Sequence, residues 1–116
     1  MANNIEIVKP MTIEVNGMVY TLEFSRSTVV LAERAGFVSD QIAEQPMTML
    51  PLLFYAAFKK NHPKITREET DKILFDEMGG LSGTEVAKLA QLYAEPTKTL
   101  VRSDDEGERK NVKISL

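Results

Sequence analysis

Apolar residues occupy every second position in two neighbouring segments near the start of the chain. The alternation runs through Met11–Val15 and again through Met18–Phe24. A period of two is typical of a β-strand with one buried face. Asn16 and Gly17, which lie between the segments, both tolerate the positive φ that a type I′ turn requires. The sequence therefore predicts an antiparallel hairpin whose apolar face must be covered by another element.

After the hairpin, apolar residues recur at helical spacing in segments separated by glycine and proline. The predicted helices run from Ser25 or Ser27 to about Ala35, from Ser39 through Gln45 (a short one), across Leu50–Phe58, from Thr66 toward Met78, and from Ser82 to about Ala94, before Pro96. Pro46 either ends the short helix or begins the next one. Thr66 with Glu69, and Ser82 with Glu85, have the spacing of capping boxes. We expect Pro51 in the first turn of its helix, where its missing N–H costs nothing.

These elements predict an α+β fold that is mainly α: an N-terminal β-hairpin followed by about four helices and a flexible C-terminal tail. Residues 1–95 are expected to form one globular domain, and residues 96–116 a polar, mobile tail, because Arg102–Leu116 carries four basic and four acidic side chains. Val112, Ile114 and Leu116 alternate and could form a strand on a sheet edge. The predicted core contains Leu22, Phe24, Leu31, Leu53, Phe54, Phe58, Ile73 and Leu89.

The amino-acid composition excludes several kinds of catalytic and metal-binding site. The 116 residues include no cysteine and one histidine, which excludes a disulfide scaffold, a thiol nucleophile and a multi-histidine metal site. The net charge of −3 predicts no general attraction to nucleic acid or anionic membrane. The N-terminus lacks the basic and apolar stretches of a secretory signal, so we expect a cytoplasmic protein. We expect neither enzymatic activity nor a metal or other cofactor.

The residue types that carry catalysis are isolated from one another. His62 lacks a recognisable nucleophile and orienting carboxylate, and we interpret it as a helix-end or turn residue beside Pro63. The carboxylates within Glu68–Glu77 begin a helix, where negative charge is favourable, so they indicate a solvated helix face. Gly79–Gly83 lacks the lysine and spacing of a phosphate loop and is interpreted as an interhelical linker.

A short basic cluster surrounds His62. It consists of Lys59, Lys60, Lys64 and Arg67. Nucleic-acid binding favours a basic domain with interleaved aromatic residues, and here acidic residues follow at once. The cluster therefore does not indicate a nucleic-acid interface.

The segment Leu50–Phe58 is apolar on every side. Such a helix is either buried all round at the centre of the domain, or keeps one face open for another subunit or a client protein. Composition leaves both alternatives open. If one face is open, the candidate protein-binding surface consists of Leu52, Tyr55, Ala56 and Lys59.

Several short segments resemble a known family in their order and spacing. They are Tyr20–Arg26, Glu33 with Gly36-Phe37, Pro46, Leu53–Phe58, Lys59–Asn61 followed by His62-Pro63, and Leu89 with Leu92-Tyr93. Together they resemble the tail assembly chaperones of siphophages and prophages of Gram-positive bacteria. The resemblance covers roughly Met11 to Glu95 and includes no catalytic signature.

The resemblance implies a helical, non-enzymatic protein in the host cytoplasm. It would bind the aggregation-prone tape measure protein, help recruit the tail tube protein around it, and self-associate into a homo-oligomer. The alternative is a structural tail or connector component that remains in the mature virion. A small helical DNA-binding regulator is a third hypothesis, which the acidic composition disfavours.

Overall fold

The computed structural model describes residues 8–98, 100 and 114–116. In this part of the chain a β-hairpin is followed by four helices. The elements are β1 (Met11–Val15), β2 (Met18–Leu22), α1 (Arg26–Arg34), α2 (Pro46–Phe58), α3 (Arg67–Lys72, continued by a π-helical turn over Ile73–Glu77) and α4 (Gly83–Lys98). The predicted fold class is confirmed for these elements. Most of the predicted tail, residues 101–113, lies outside the described residues.

The hairpin forms in the predicted register. Val15 pairs with Met18, and Asn16 and Gly17 between them have φ values of 51° and 83°, as a type I′ turn requires. β2 ends at Leu22 rather than near Phe24. The reason is that the N–H of Glu23 donates to the carbonyl of Ala57 at 3.0 Å, so the chain turns from the hairpin toward α2.

Three of the helices begin at the predicted caps. The Ser25 hydroxyl accepts from the N–H of Thr28 before α1, and the Thr66 hydroxyl accepts from the N–H of Glu69 before α3. The Ser82 hydroxyl accepts from the N–H of Glu85 at 3.1 Å in front of α4. Capping residues act locally, and this is why the sequence locates these starts well.

α2 begins at Pro46, which is one of the two positions predicted for that proline, and Pro51 therefore lies inside the helix rather than in its first turn as predicted. Pro46 suits the first helical position because its φ is already helical. Pro51 lacks the N–H that would bond to the carbonyl of Met47. The predicted short helix before α2 is only a 3₁₀ turn, Ser39–Gln41, followed by turn residues.

α4 is also longer than predicted. It continues through Pro96 to Lys98, whose ammonium lies 2.6 Å from the Glu95 carboxylate. Residues 96–98 are therefore the last residues of α4.

α2 forms the centre of the core and packs against β2, α1, α3 and α4. The Phe54 and Phe58 rings meet edge to face at 5.0 Å, and both are fully buried. Seven of the eight predicted core residues are buried, namely Leu22, Phe24, Leu53, Phe54, Phe58, Ile73 and Leu89. Leu31 is only half-buried, because it packs at the margin of the core.

Candidate protein-binding surface

The surface predicted on α2 is not an open face in this structure. Leu52 is 6% exposed and Ala56 is fully buried, so both belong to the core. Tyr55 and Lys59 are half-buried. The Lys59 ammonium lies 5.4 Å from the centre of the Tyr55 ring and donates to the carbonyl of Pro63 at 2.6 Å. These two side chains therefore lie together at the end of α2.

The correction has a packing cause. An all-apolar helix was compatible with one open side, but β2 and three helices surround α2 and close that side. The first turns of α2 are the exception. Met47 is 75% exposed there, and Leu50 is half-buried. The open apolar part of α2 is thus its N-terminal end and not the side that carries Leu52 and Ala56.

An apolar groove lies where the start of α2 meets the end of α3, and we call it the α2–α3 groove. It has a volume of about 160 Å³. Its walls include Met47, Leu50 and Pro51 from α2, Leu74 and Phe75 from the π-helical turn, and Leu81 from the following loop. Phe75 is 46% exposed. The groove therefore presents two large apolar side chains to the surroundings.

The π-helical turn and a glycine pair shape one wall of the groove. The N–H of Met78 donates to the carbonyl of Ile73, and the N–H of Gly80 donates to the carbonyl of Leu74, both at 2.8 Å. Gly79 and Gly80 have φ values of 68° and 102°, which side chains other than glycine rarely adopt. This wider turn buries Ile73 and Leu74 and leaves the neighbouring Phe75 outside.

Three acidic residues lie close in sequence to the residues that line the groove. Asp76 and Glu77 follow Phe75 directly, and Glu44 precedes Pro46 by two residues; all three are exposed. Among the described residues, none of the three carboxylates makes an ion pair or a side-chain hydrogen bond. Lys72 lies one helical turn before Phe75 and is also exposed, so the charges nearest to the groove in sequence are three acidic and one basic.

A second groove, of about 280 Å³, lies between α1 and the end of α4. Val29, Val30 and Leu100 contribute apolar walls, while Arg26 and Glu33 stand at its margin. The nearby ring of Tyr93 packs edge to face against Phe24 and Phe37. Burial, followed by the negative charge of Glu33, raises the pKa of the Tyr93 hydroxyl.

His62 has a structural contact that agrees with its interpretation as a turn residue. Its Nε2 accepts a hydrogen bond from the backbone N–H of Thr21 at 3.0 Å. The ring also packs edge to face against Tyr20 at 5.1 Å. Because Nε2 is an acceptor, the ring carries its proton on Nδ1. His62 thus connects the end of α2 to the hairpin.

The predicted basic cluster is engaged within the protein. Lys59 bonds to backbone carbonyls, and the Lys60 ammonium lies 3.3 Å from the Glu23 carboxylate. Arg67 pairs with Asp71 one helical turn away. These contacts leave Lys64 as the member whose side chain has no such partner among the described residues.

The carboxylates that begin α3 have local roles. Glu69 completes the helix cap, and Asp71 pairs with Arg67. Across the described part of the chain, no three histidine or acidic side chains converge in a way that could hold a metal ion. Within the same residues, no helix is both long enough and apolar enough to span a bilayer.

Sequence reasoning overlooked most of the groove residues. Met47, Leu74 and Phe75 were not singled out, although the glycine linker that contains Leu81 was. Apolar residues on both sides of a Gly-Gly pair were the available signal, because a linker brings its flanking segments close together.

Comparisons with known proteins give one match. No curated protein and no solved structure is significantly similar to the chain. One family model matches it over residues 1–116 and carries the description "Domain of unknown function (DUF5055)". The match extends over the whole sequence, hairpin and helices included. The chain therefore belongs to the DUF5055 family.

Proposed function

We propose that this protein is a non-enzymatic phage tail assembly chaperone. It binds the tape measure protein in the host cytoplasm and assists assembly of the tail tube around it. The resemblance of Tyr20–Tyr93 to tail assembly chaperones supports the identity of the client. The α2–α3 groove supports the kind of binding and is the observation that carries the proposal.

The groove offers apolar surface in a folded protein. A chaperone that holds an aggregation-prone chain needs such surface to be available without unfolding first. Covering Met47 and Phe75 fully would each contribute about 1.5–3 kcal/mol relative to full exposure, and both are already partly covered. The attraction per site is therefore modest. Modest affinity suits a client that must later be released.

The acidic residues beside the groove define the client chemistry. An apolar segment flanked by lysine or arginine would place its apolar side chains against Met47 and Phe75, and its charges near Asp76 and Glu77. A segment flanked by acidic residues would be repelled. The groove binds an apolar client segment reversibly and shields it from water until tube subunits displace the chaperone.

Co-expression with the tape measure protein of the same phage or prophage tests this function. Wild-type chain should keep the client soluble and elute with it. Met47→Glu and Phe75→Glu should weaken both effects, because each places a charge in an apolar groove. Val30→Glu is the matched control, since Val30 is 40% exposed but lies in the other groove.

Two outcomes would contradict the proposal. The first is a client that is equally soluble with and without this chain, with no complex on gel filtration. The second is the presence of this chain in purified virions in a fixed ratio to the tail proteins, measured by mass spectrometry. The second outcome would make the protein a structural tail or connector component.

A further inference from the structure

The outward backbone groups of the two hairpin strands differ in their hydrogen-bond partners. At β2 the N–H of Thr21 donates to His62 Nε2, and the Thr21 carbonyl accepts from the amide of Asn61 at 3.2 Å. The N–H of Glu23 donates to Ala57 just beyond. The protein therefore closes the Thr21 end of the β2 edge with its own groups.

The β1 edge is open in the described structure. Thr12 pairs with Thr21, and Glu14 pairs with Val19. Because Thr21 directs its N–H and carbonyl away from β1, these are the non-hydrogen-bonded pairs of the ladder, and Thr12 and Glu14 direct their own backbone groups outward. Among the described residues, none of these four groups has a partner.

Open edges invite pairing with another chain, and proteins usually block them with lysine, proline or a bulge. Between Met11 and Val15, β1 has no lysine, proline or bulge; Lys9 and Pro10 lie just before the strand, and Glu14 is its one charged residue. We propose that β1 pairs in an antiparallel manner with β1 of a second copy of this chain, around a two-fold axis at Ile13. Each Thr12 then lies opposite Glu14 of the other copy, and all four outward groups of each edge form hydrogen bonds.

The side chains of β1 favour a second copy as the occupant. The half-buried Met11, Ile13 and Val15 lie on one face, and the two-fold axis joins this face to its own copy. On the other face, the only charge of β1, Glu14, lies opposite an uncharged threonine. The two carboxylates are diagonal rather than opposed, which avoids the repulsion of like charges placed directly opposite.

Cysteine cross-linking tests the pairing, and the natural chain has no cysteine that could interfere. Ile13 lies opposite itself in a non-hydrogen-bonded pair, where Cα atoms are about 4.5 Å apart, within the range of a disulfide. Under mild oxidation, Ile13→Cys should give a covalent dimer on a non-reducing gel. Thr12→Cys is the matched control and should give little, because it lies opposite Glu14.

Charge substitution tests the register by sedimentation. Thr12→Glu places two pairs of carboxylates opposite each other, and Thr12→Lys creates two opposite-charge pairs. We expect the dimer dissociation constant to rise about 2- to 30-fold in the first variant and to fall by a similar factor in the second. The double variant Thr12→Glu, Glu14→Lys again places opposite charges across each pair, so it should restore association.

The pairing does not depend on the proposed function. A wild-type chain that remains monomeric at every accessible concentration would overturn it, as would equal cross-linking of the two cysteine variants. If the chain is monomeric alone and the amides of Thr12 and Glu14 become protected from hydrogen exchange only when a client is added, the edge belongs to the client and self-pairing is wrong.

Discussion

The contact between His62 and the hairpin gives a quantitative prediction for stability. His62 and Thr21 are 41 positions apart in sequence, and their hydrogen bond connects the loop after α2 to β2. His62→Ala removes the acceptor and the ring but leaves the N–H of Thr21 in place. The variant therefore measures how strongly this contact holds the hairpin on the helices.

The expected loss can be estimated from the two contacts. A buried donor left without a partner costs about 1–3 kcal/mol. The edge-to-face contact with Tyr20 adds about 0.5–1.5 kcal/mol. Because the bond is only partly buried, water can replace part of it, and we expect a total near 2 kcal/mol. For a domain of this size, that corresponds to a decrease in Tm of roughly 8 °C.

Urea denaturation followed by far-UV circular dichroism gives the free energy of unfolding directly. His62→Gln keeps a hydrogen-bond acceptor on a chain of similar reach, and should lose about half as much as alanine. Lys64→Ala is the neighbouring control, because Lys64 is exposed, and should stay within about 0.5 kcal/mol of wild type.

A His62→Ala variant as stable as Lys64→Ala would refute this reasoning. It would mean that the apolar face and the other hydrogen bonds, such as those from Asn61 to Thr21 and from Glu23 to Ala57, hold the hairpin without His62. Equal losses in the alanine and glutamine variants would instead assign the whole effect to the ring and none to the hydrogen bond.

Further predictions concern single side chains. Phe54→Ala should lower the free energy of unfolding by about 3–5 kcal/mol, because the ring is fully enclosed, and a smaller loss in urea would place it near an open surface. Chiefly the amide of Asn61, and also Lys60, lower the pKa of Glu23 below its ordinary value of 4.5. The ionised Glu23 therefore stabilises the folded protein above pH 4.5, and this stabilisation is lost as the pH falls through the lowered pKa of the folded state. In Glu23→Gln, the free energy of unfolding should therefore decrease less between neutral and acidic pH than in the wild type. Gly80→Ala should cost about 1–2 kcal/mol by thermal unfolding, since Gly80 has a φ of 102°.

The parts of the fold that depend on neighbouring residues could be predicted from the sequence. Asn16-Gly17 defines the hairpin turn and hence its register, and the Thr66 and Ser82 caps define where α3 and α4 begin. The chemistry of these sites is complete within four residues. No information from the rest of the chain was needed to locate them.

The candidate surface depends on tertiary packing and could not be predicted in the same way. Leu52 and Ala56 have the composition of either a core or an interface, and the elements that surround α2 decide between the two. Phe75 is a large apolar residue next to Ile73 and Leu74, which are buried. The π-helical turn leaves it outside, and such a turn has no clear sequence signal.

If both proposals hold, a dimer paired through β1 carries two α2–α3 grooves. A long client can then occupy both, and the second contact is made at the high effective concentration set by the first.

Thr12→Glu weakens the dimer without touching the groove, so it should release a client with two suitable segments faster than wild type. It should leave the affinity for a peptide with a single segment unchanged. Phe75→Glu should weaken both, and the long client more strongly, because each of its two contacts is weakened. Measuring dissociation rates for the two ligands by surface plasmon resonance separates these cases, and a Thr12→Glu chain that retains the long client as well as wild type would show that the two sites act independently.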